Sequence, residues 1–125
     1  MYDWLGTPYL WGGRTRFGVD CSGFVQIQLA SQGIRIPRDA QVQFNNSIHK
    51  FEPGEASGNA PGNLAFFGPS VSQINHVGIF CTENKIIHAS GEIRLDTVVG
   101  TKLNILDTSG LQRAYQLVAS GSYFT

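Results

Sequence analysis

The order of apolar and polar positions predicts two helices in the first third of the chain. Residues 21–32 place apolar side chains at positions 24, 25, 27, 29 and 30, which gives a helix one broad buried face. Gly33 supplies the left-handed residue that ends such a helix. A second, shorter helix is predicted from 38 to about 46, and residues 2–13 are predicted to begin with a short helical turn and to continue irregularly.

Short apolar runs separated by turns predict an antiparallel meander in the second half, because they are rich in Ile, Val and Phe. These runs cover residues 63–67, 75–81, 85–89, 92–99 and 111–120. The last run is predicted as a strand, with a terminal helix as the alternative, and the Gly- and Pro-rich stretch 49–62 is predicted as a surface loop. An N-terminal helix followed by a sheet indicates the α+β class, in one domain over residues 1–125.

Composition and charge remove several classes of function. The chain of 125 residues carries 9 basic and 9 acidic residues, and this balance does not indicate binding to nucleic acid or to an anionic membrane surface. No apolar run approaches the roughly 20 residues of a spanning helix, and we expect neither such a helix nor a secretory signal in these residues. Two cysteines, Cys21 and Cys81, are too few for a small disulfide-stapled fold, so a thiol with its own chemistry is at least as good an interpretation.

Cys21 follows a glycine-rich loop and stands at the predicted start of the first helix. Unpaired N–H groups and the positive end of the helix dipole favour an anion at this position. We therefore expect the pKa of the thiol to be lowered toward the nucleophilic thiolate. Asp20, just before it, is placed to cap the helix and also to contact a substrate. The alternative is that Cys21 is only a small, buried helix residue.

Two histidines lie on neighbouring predicted strands, where they could serve this thiol. Because side chains alternate along a strand, His76 and His88 share a face only if the hairpin between them has an odd loop, such as 82–84, or a bulge. We expect this arrangement, with both rings facing the helix. Cys21 would then attack a carbonyl, His76 would take up and return the proton, and His88 would hold the His76 ring.

Other interpretations of these side chains exist. Taken singly, each histidine is more often a hydrogen-bonded sheet residue, and a zinc site of Cys21 with both histidines is a further alternative. No Cys-x-x-Cys or His-x-x-x-His spacing supports that site, so we expect neither a metal nor another cofactor. In the catalytic interpretation, the oxyanion is held by the N–H of Cys21 and a second donor, for which the Tyr9 hydroxyl is a candidate.

Six strings of the sequence, in order, resemble the motifs of NlpC/P60 cysteine peptidases. They are PYLWGG at 8–13, DCSGF at 20–24, PRDA at 37–40, PGNLAFF at 61–67, HVGIF at 76–80 and IHAS at 87–90. The resemblance implies a papain-like fold and hydrolysis of bacterial cell-wall peptides, typically at the bond from γ-D-glutamate to the diamino acid. It also implies Cys21, His76 and His88 as the triad, Tyr9 beside it, and Asp20 and Ser22 in the glutamate pocket.

The PRDA segment is similar to that of family members that recognise the free amine of an L-Ala-γ-D-Glu peptide. Asp39 would be the counter-charge to that amine, or simply the cap of the second helix. Such members resemble proteins with SH3-like domains, so we expect a longer parent chain or a partner. The expected location is the bacterial envelope or the outside of the cell, with cytoplasmic recycling of wall peptides as the alternative. An amidase or acyltransferase with the same thiol, and a non-catalytic wall-binding module, are the alternative functions.

Overall fold

The computed structural model describes residues 1–106, 110 and 112–124. Helix α1 spans Cys21–Ala30, helix α2 spans Ala40–Asn45, and 3-10 turns lie at Tyr2–Trp4 and Ala56–Asn59. The strands are β1 Arg14–Thr15, β2 Gly18–Val19, β3 His49–Phe51, β4 Leu64–Phe67, β5 His76–Phe80, β6 Lys85–Ser90, β7 Glu92–Thr97, β8 Lys102–Leu106 and β9 Gln112–Ser122. Neither helix in this part of the chain has the length and apolar character that crossing a bilayer requires.

One antiparallel sheet forms the body of the protein, and α1 packs on it. The strand order is β3-β9-β4-β5-β6-β7, and β8 pairs with the N-terminal half of β9, residues 112–116. Strands β1 and β2 form a separate two-stranded ribbon. Helix α1 lies against β5 and β6, the central hairpin of this sheet. The α+β class predicted from the sequence is therefore confirmed.

Two apolar clusters lie on opposite faces of the sheet. On the helix-side face, residues of α1 pack with alternate residues of β4, β5 and β6, namely Phe24, Val25, Leu29, Leu64, Phe66, Val77, Ile79, Ile87 and Ala89. On the far face the cluster consists of Ala65, Phe67, Phe80, Ile86, Val98, Leu103, Ile105 and Leu117. Because β4 and β5 are buried on both faces, they appear in the sequence as continuous apolar runs rather than as an alternating pattern.

Most predicted elements are present, with differences at their ends. Helix α1 ends at Ala30 rather than at 32, and the chain then turns to Gly33, whose φ of +80° is the predicted left-handed stop. The final segment is a strand and not a helix; residue 111 of the predicted range lies outside the described residues. Strand β3 lies inside the stretch predicted as a loop, and β1, β2 and β8 were not predicted at all.

Candidate active site

Cys21 is the first residue of α1, and Asp20 caps the helix as predicted. The N–H of Gly23 donates to the Asp20 carboxylate at 2.7 Å, and the N–H of Gly12 donates to its other oxygen at 3.1 Å. Arg38 donates to both carboxylate oxygens, at 2.9 and 2.8 Å, and to the Ser22 hydroxyl at 2.8 Å. The loop before α1, the start of α1 and the segment before α2 are thus joined at one buried carboxylate.

The hydrogen bonds within the protein already occupy Asp20 and Ser22, for which substrate contacts were expected. Burial alone would raise the pKa of Asp20, but the hydrogen bonds from Arg38 and Gly23 outweigh it and lower that pKa. The carboxylate is therefore ionised and already holds several donors within the protein. Both side chains line the groove beside Cys21, so their contact with a substrate stays a prediction.

The thiol of Cys21 behaves differently from the prediction. Its side chain is buried, with 9% exposure, and this burial raises the pKa of the thiol. The N–H groups of Val77 and Ser22 act in the opposite direction, because they favour the thiolate, but burial dominates. The lowered pKa expected from the helix terminus is thus wrong for the substrate-free protein, in which the thiol is neutral.

The β5–β6 hairpin has the odd loop that the sequence predicted. Gly78 pairs with His88, and the N–H of Cys81 donates to the carbonyl of Lys85 at 2.7 Å, which leaves the three residues 82–84 as the loop. His76 and His88 are therefore diagonal neighbours on one face. Gly78 makes room for them, since a Cβ at this position would lie 3.0 Å from the Cβ of His88.

That shared face is the far face, so the expectation that both rings face the helix is wrong. Side-chain alternation directs Val77 and Ile87 toward α1, and it directs the two histidines to the other side. The His76 ring stacks there on Tyr115, with ring centroids 4.3 Å apart. His76 is nevertheless the first residue of β5, and at this end of the strand its ring borders the same space as the thiol.

A cavity of about 390 Å³ joins the two groups around the end of the strand. Cys21, His76, Tyr9, Tyr115 and Arg113 are among the residues that line it. A second groove of about 560 Å³ adjoins it and is also lined by Tyr9 and Cys21. Because Cys21 borders both spaces, an extended substrate could place one part on each side of the sulfur.

The two imidazoles are hydrogen-bonded to each other. Nε2 of His76 and Nδ1 of His88 lie 2.7 Å apart, and their residues are 5% and 0% exposed. Burial first, and then electrostatic interaction with His88 and with Arg113, holds the pKa of His76 well below its ordinary value. His76 is therefore a neutral imidazole at neutral pH, which is the form a general base needs.

Asp96 on β7 extends this pair, and sequence reasoning missed it. Its carboxylate lies 2.7 Å from Nε2 of His88, and Arg94 donates to it at 2.7 and 3.1 Å. The alternation of Arg94 and Asp96 with Ile93 and Leu95, on the strand after His88, is the sequence signal that could have indicated a polar row beside the histidine. Within the described residues, no group of three or more His, Cys, Asp or Glu side chains is arranged to hold a metal ion.

Asp39 occupies the N-cap position of α2, but its side chain makes no capping hydrogen bond. The carboxylate is exposed and lines the larger groove with Ser22 and Trp11. Of the two roles predicted for Asp39, capping is thus not seen, and contact with a ligand in the groove stays a prediction.

Comparison with known proteins finds a family match and several related sequences. The NlpC/P60 family model matches residues 6–117. The probable endopeptidase NlpC of Escherichia coli is 42% identical over 94 residues, which cover 72% of this chain and 57% of the relative. A gamma-D-glutamyl-L-lysine dipeptidyl-peptidase of Bacillus cereus is 34% identical over 87 residues, which cover 68% of this chain and 25% of the relative. The chain therefore spans little more than half of the first relative and a quarter of the second.

Solved structures show the same fold. The NlpC/P60 domain of the peptidoglycan hydrolase SagA superposes with a TM-score of 0.66 at 31% identity, covering 77% of this chain and 81% of that one. An NlpC/P60 family protein of Bacillus cereus gives 0.73 at 27% identity, with 98% and 37% covered. RipD of Mycobacterium tuberculosis, a non-catalytic NlpC/P60 domain protein, gives 0.66 at 20% identity, covering 92% and 88%, and shows the fold alone. With the family match over most of its length and this shared architecture, the chain belongs to the NlpC/P60 family.

Proposed function

We propose that this protein is a cysteine peptidase that hydrolyses bacterial cell-wall peptides at the bond between γ-D-glutamate and the diamino acid. The observation that carries the proposal is the shared cavity: the Cys21 thiol and the neutral His76 imidazole line one solvent-reachable space, and His88 holds His76 from behind. The names of relatives, which include endopeptidases and γ-D-glutamyl-L-lysine peptidases, support the choice of bond.

The chemistry begins with a neutral thiol and a neutral imidazole. As the sulfur of Cys21 attacks the γ-carbonyl carbon, His76 takes the thiol proton, and the tetrahedral oxyanion is held by the N–H of Cys21 and the hydroxyl of Tyr9. The imidazolium then gives that proton to the leaving amine of the diamino acid, which breaks the C–N bond. Water, deprotonated by His76, hydrolyses the resulting thioester and restores the thiol.

The larger groove suits the glutamyl side of the substrate. A γ-linked glutamate keeps a free α-carboxylate, and Arg38, which is held by Asp20 and Ser22, offers a partly exposed guanidinium in this groove. The exposed carboxylate of Asp39, which lines the same groove, would pair with the free amine of an N-terminal L-Ala. The proposed substrate is thus L-Ala-γ-D-Glu linked to a diamino acid, cleaved as by a dipeptidyl-peptidase.

The lengths of the relatives support a larger assembly. Because the chain covers only 57% of the Escherichia coli relative and 25% of the Bacillus cereus relative, we place the catalytic domain in a longer protein or beside a partner, with SH3-like domains as the candidate neighbours. The substrate implies the bacterial envelope or the outside of the cell as the location, with recycling of wall peptides in the cytoplasm as the alternative.

The first test removes the nucleophile. Cys21→Ser should lower turnover of L-Ala-γ-D-Glu peptides ending in diaminopimelate or lysine by at least about 10⁴-fold, because the hydroxyl is a far weaker nucleophile here. Cys81→Ser is the matched control. Cys81 follows β5, is half-buried, and lines neither the cavity nor the larger groove. The control should keep wild-type turnover, and both variants should keep the wild-type melting temperature within a few degrees.

Turnover that survives in Cys21→Ser would remove the thiol as the nucleophile and the proposal with it. The released product separates the remaining alternatives. Free diamino acid supports the peptidase, whereas transfer of the glutamyl group to an added amine or alcohol would indicate an acyltransferase. Binding of the peptide without release of any product would indicate a wall-binding module.

A further inference from the structure

The hydrogen-bonded row of His76 on β5 and His88 on β6 continues to Asp96 on a third strand, β7. Gly78 pairs with His88 and Ile86 pairs with Asp96, so His76, His88 and Asp96 are successive diagonal neighbours on the far face of β5, β6 and β7. Both contacts between them measure 2.7 Å. Arg94 closes the row by donating to both oxygens of the Asp96 carboxylate.

The hydrogen-bond inventory of these groups permits one arrangement of protons. An ionised carboxylate only accepts, so Nε2 of His88 must carry the hydrogen that points to Asp96. A neutral His88 then has no hydrogen on Nδ1, which must accept from Nε2 of His76. A neutral His76 with its hydrogen on Nε2 has a free electron pair on Nδ1, the one ring nitrogen that His88 does not occupy.

We propose that Asp96 is a positioning residue whose carboxylate sets the tautomers of both histidines. This leaves Nδ1 of His76 as the base for Cys21, a role that rests on the proposed function. Without an acceptor at Asp96, the row can reverse: His88 carries its hydrogen on Nδ1, donates it to Nε2 of His76, and the hydrogen of His76 moves to Nδ1. In that arrangement His76 cannot accept the thiol proton, although every side chain remains in place.

The electrostatic environment is consistent with this role. Burial alone would raise the pKa of Asp96, but hydrogen bonds from His88 and Arg94 outweigh it, lower that pKa and keep the carboxylate ionised. Burial lowers the pKa of His88 more than Asp96 raises it, so this ring stays neutral. Because Arg94 balances the charge of Asp96, the main contribution of the carboxylate is to orient protons rather than to stabilise a distant imidazolium.

The experiment compares Asp96→Leu, which has a similar shape and no acceptor, with the wild-type chain. Nitrogen-15 NMR of the histidine rings at neutral pH should show both wild-type rings protonated on Nε2, and Asp96→Leu should populate the Nδ1-protonated forms. The kcat should fall by about 100-fold or more while KM changes little; loss of the correct tautomer in a serine-protease triad, at about 10⁴-fold, is the guide. Asp96→Glu restores an acceptor and should recover part of the kcat.

Asp3→Leu is the matched control, since it makes the same chemical change at an exposed carboxylate that pairs with Arg16, away from the cavity. It should leave both the spectrum and kcat unchanged. A wild-type spectrum with the hydrogen of His88 on Nδ1, or an Asp96→Leu variant with wild-type tautomers and near wild-type kcat, would overturn the inference. If Asp96→Leu does not fold, the wild-type spectrum alone decides.

This test and the test of the proposed function fail in different ways. The NMR measurement needs no turnover, so it judges the tautomers even in a protein that hydrolyses nothing. A wild-type chain whose turnover does not depend on Cys21 would refute the peptidase while leaving the proton arrangement intact.

Discussion

At the scale of single residues, burial controls the protonation of the site. The His76 ring is enclosed by Tyr115, Phe67 and His88, and this burial favours its neutral form. Burial also favours the neutral thiol of Cys21. Both groups are therefore neutral in the free protein, and in the proposed mechanism the proton passes from Cys21 to His76 as the sulfur attacks a carbonyl carbon.

The protonation of His76 predicts how stability depends on pH. Histidine in the unfolded chain titrates near pH 6.5, whereas native His76 resists protonation, so below about pH 6.5 only the unfolded state gains the proton. The free energy of unfolding should fall with decreasing pH from about 6.5 until the lowered native pKa is reached, on the order of 1 kcal/mol per pH unit for each such histidine. Urea unfolding between pH 7 and 5 measures this slope.

His76→Gln should reduce that slope by the contribution of one histidine, because an amide does not titrate and its Nε2 can still donate to His88. The contribution of His88, whose pKa burial also lowers, should remain. His49→Asn is the control, since His49 is exposed on β3. An unchanged slope in His76→Gln would show that the buried ring does not govern acid stability.

Asp39 allows a second test with single residues. Asp39→Asn should reduce kcat/KM for peptides with a free N-terminal amine by up to about fivefold more than for N-acylated peptides, because an exposed ion pair is worth at most about 1 kcal/mol. Parallel assays with the two peptide series measure this difference. Equal losses for both series would remove Asp39 from amine recognition.

At the scale of elements, the start of α1 is fixed by a carboxylate that serves three segments. Asp20 caps the helix at Gly23, holds the loop at Gly12 and pairs with Arg38 before α2. The position of the Cys21 sulfur thus depends on the same contacts that hold α2 beside α1.

Asp20→Ala should lower the free energy of unfolding by about 1–3 kcal/mol, since it removes a helix cap and leaves Arg38 without its carboxylate partner. Asp39→Ala is the control for stability, because Asp39 occupies the equivalent position of α2 without a capping bond, and it should change stability by less than about 0.5 kcal/mol. Thermal and urea unfolding of the two variants measure the contrast; similar losses in both would contradict the capping role.

The elements also show where sequence patterns stop being informative. Helix α1 was predictable because its apolar period and its cap are local features of the sequence. The shared face of His76 and His88 on the β5–β6 hairpin was predictable because it depends only on whether the loop has an odd number of residues. The face that carries the histidines was not predictable, since β4 and β5 are buried on both sides and their apolar runs do not distinguish the two faces. Strands β3 and β8 were missed because their pairing with β9 is decided by tertiary contact and not by their own residues.

At the scale of the whole molecule, the proposed triad came from the sequence, and its support came from the structure. Motif order was enough to bring Cys21, His76 and His88 together as candidates. Asp96 carries no motif: it contributes through one diagonal contact across β6 and β7, which depends on strand register. The neutral state of the thiol depends on how deeply the finished fold buries it, which no local pattern reports.

The thiol and the base come from different elements, Cys21 from the first position of α1 and His76 from the first position of β5. In the proposed mechanism, loss of either side chain would abolish hydrolysis, although the groove around them would keep its shape. A single codon change could therefore convert a hydrolase of this design into a protein that only binds wall peptides, and separate lineages could reach that state by losing different members of the pair.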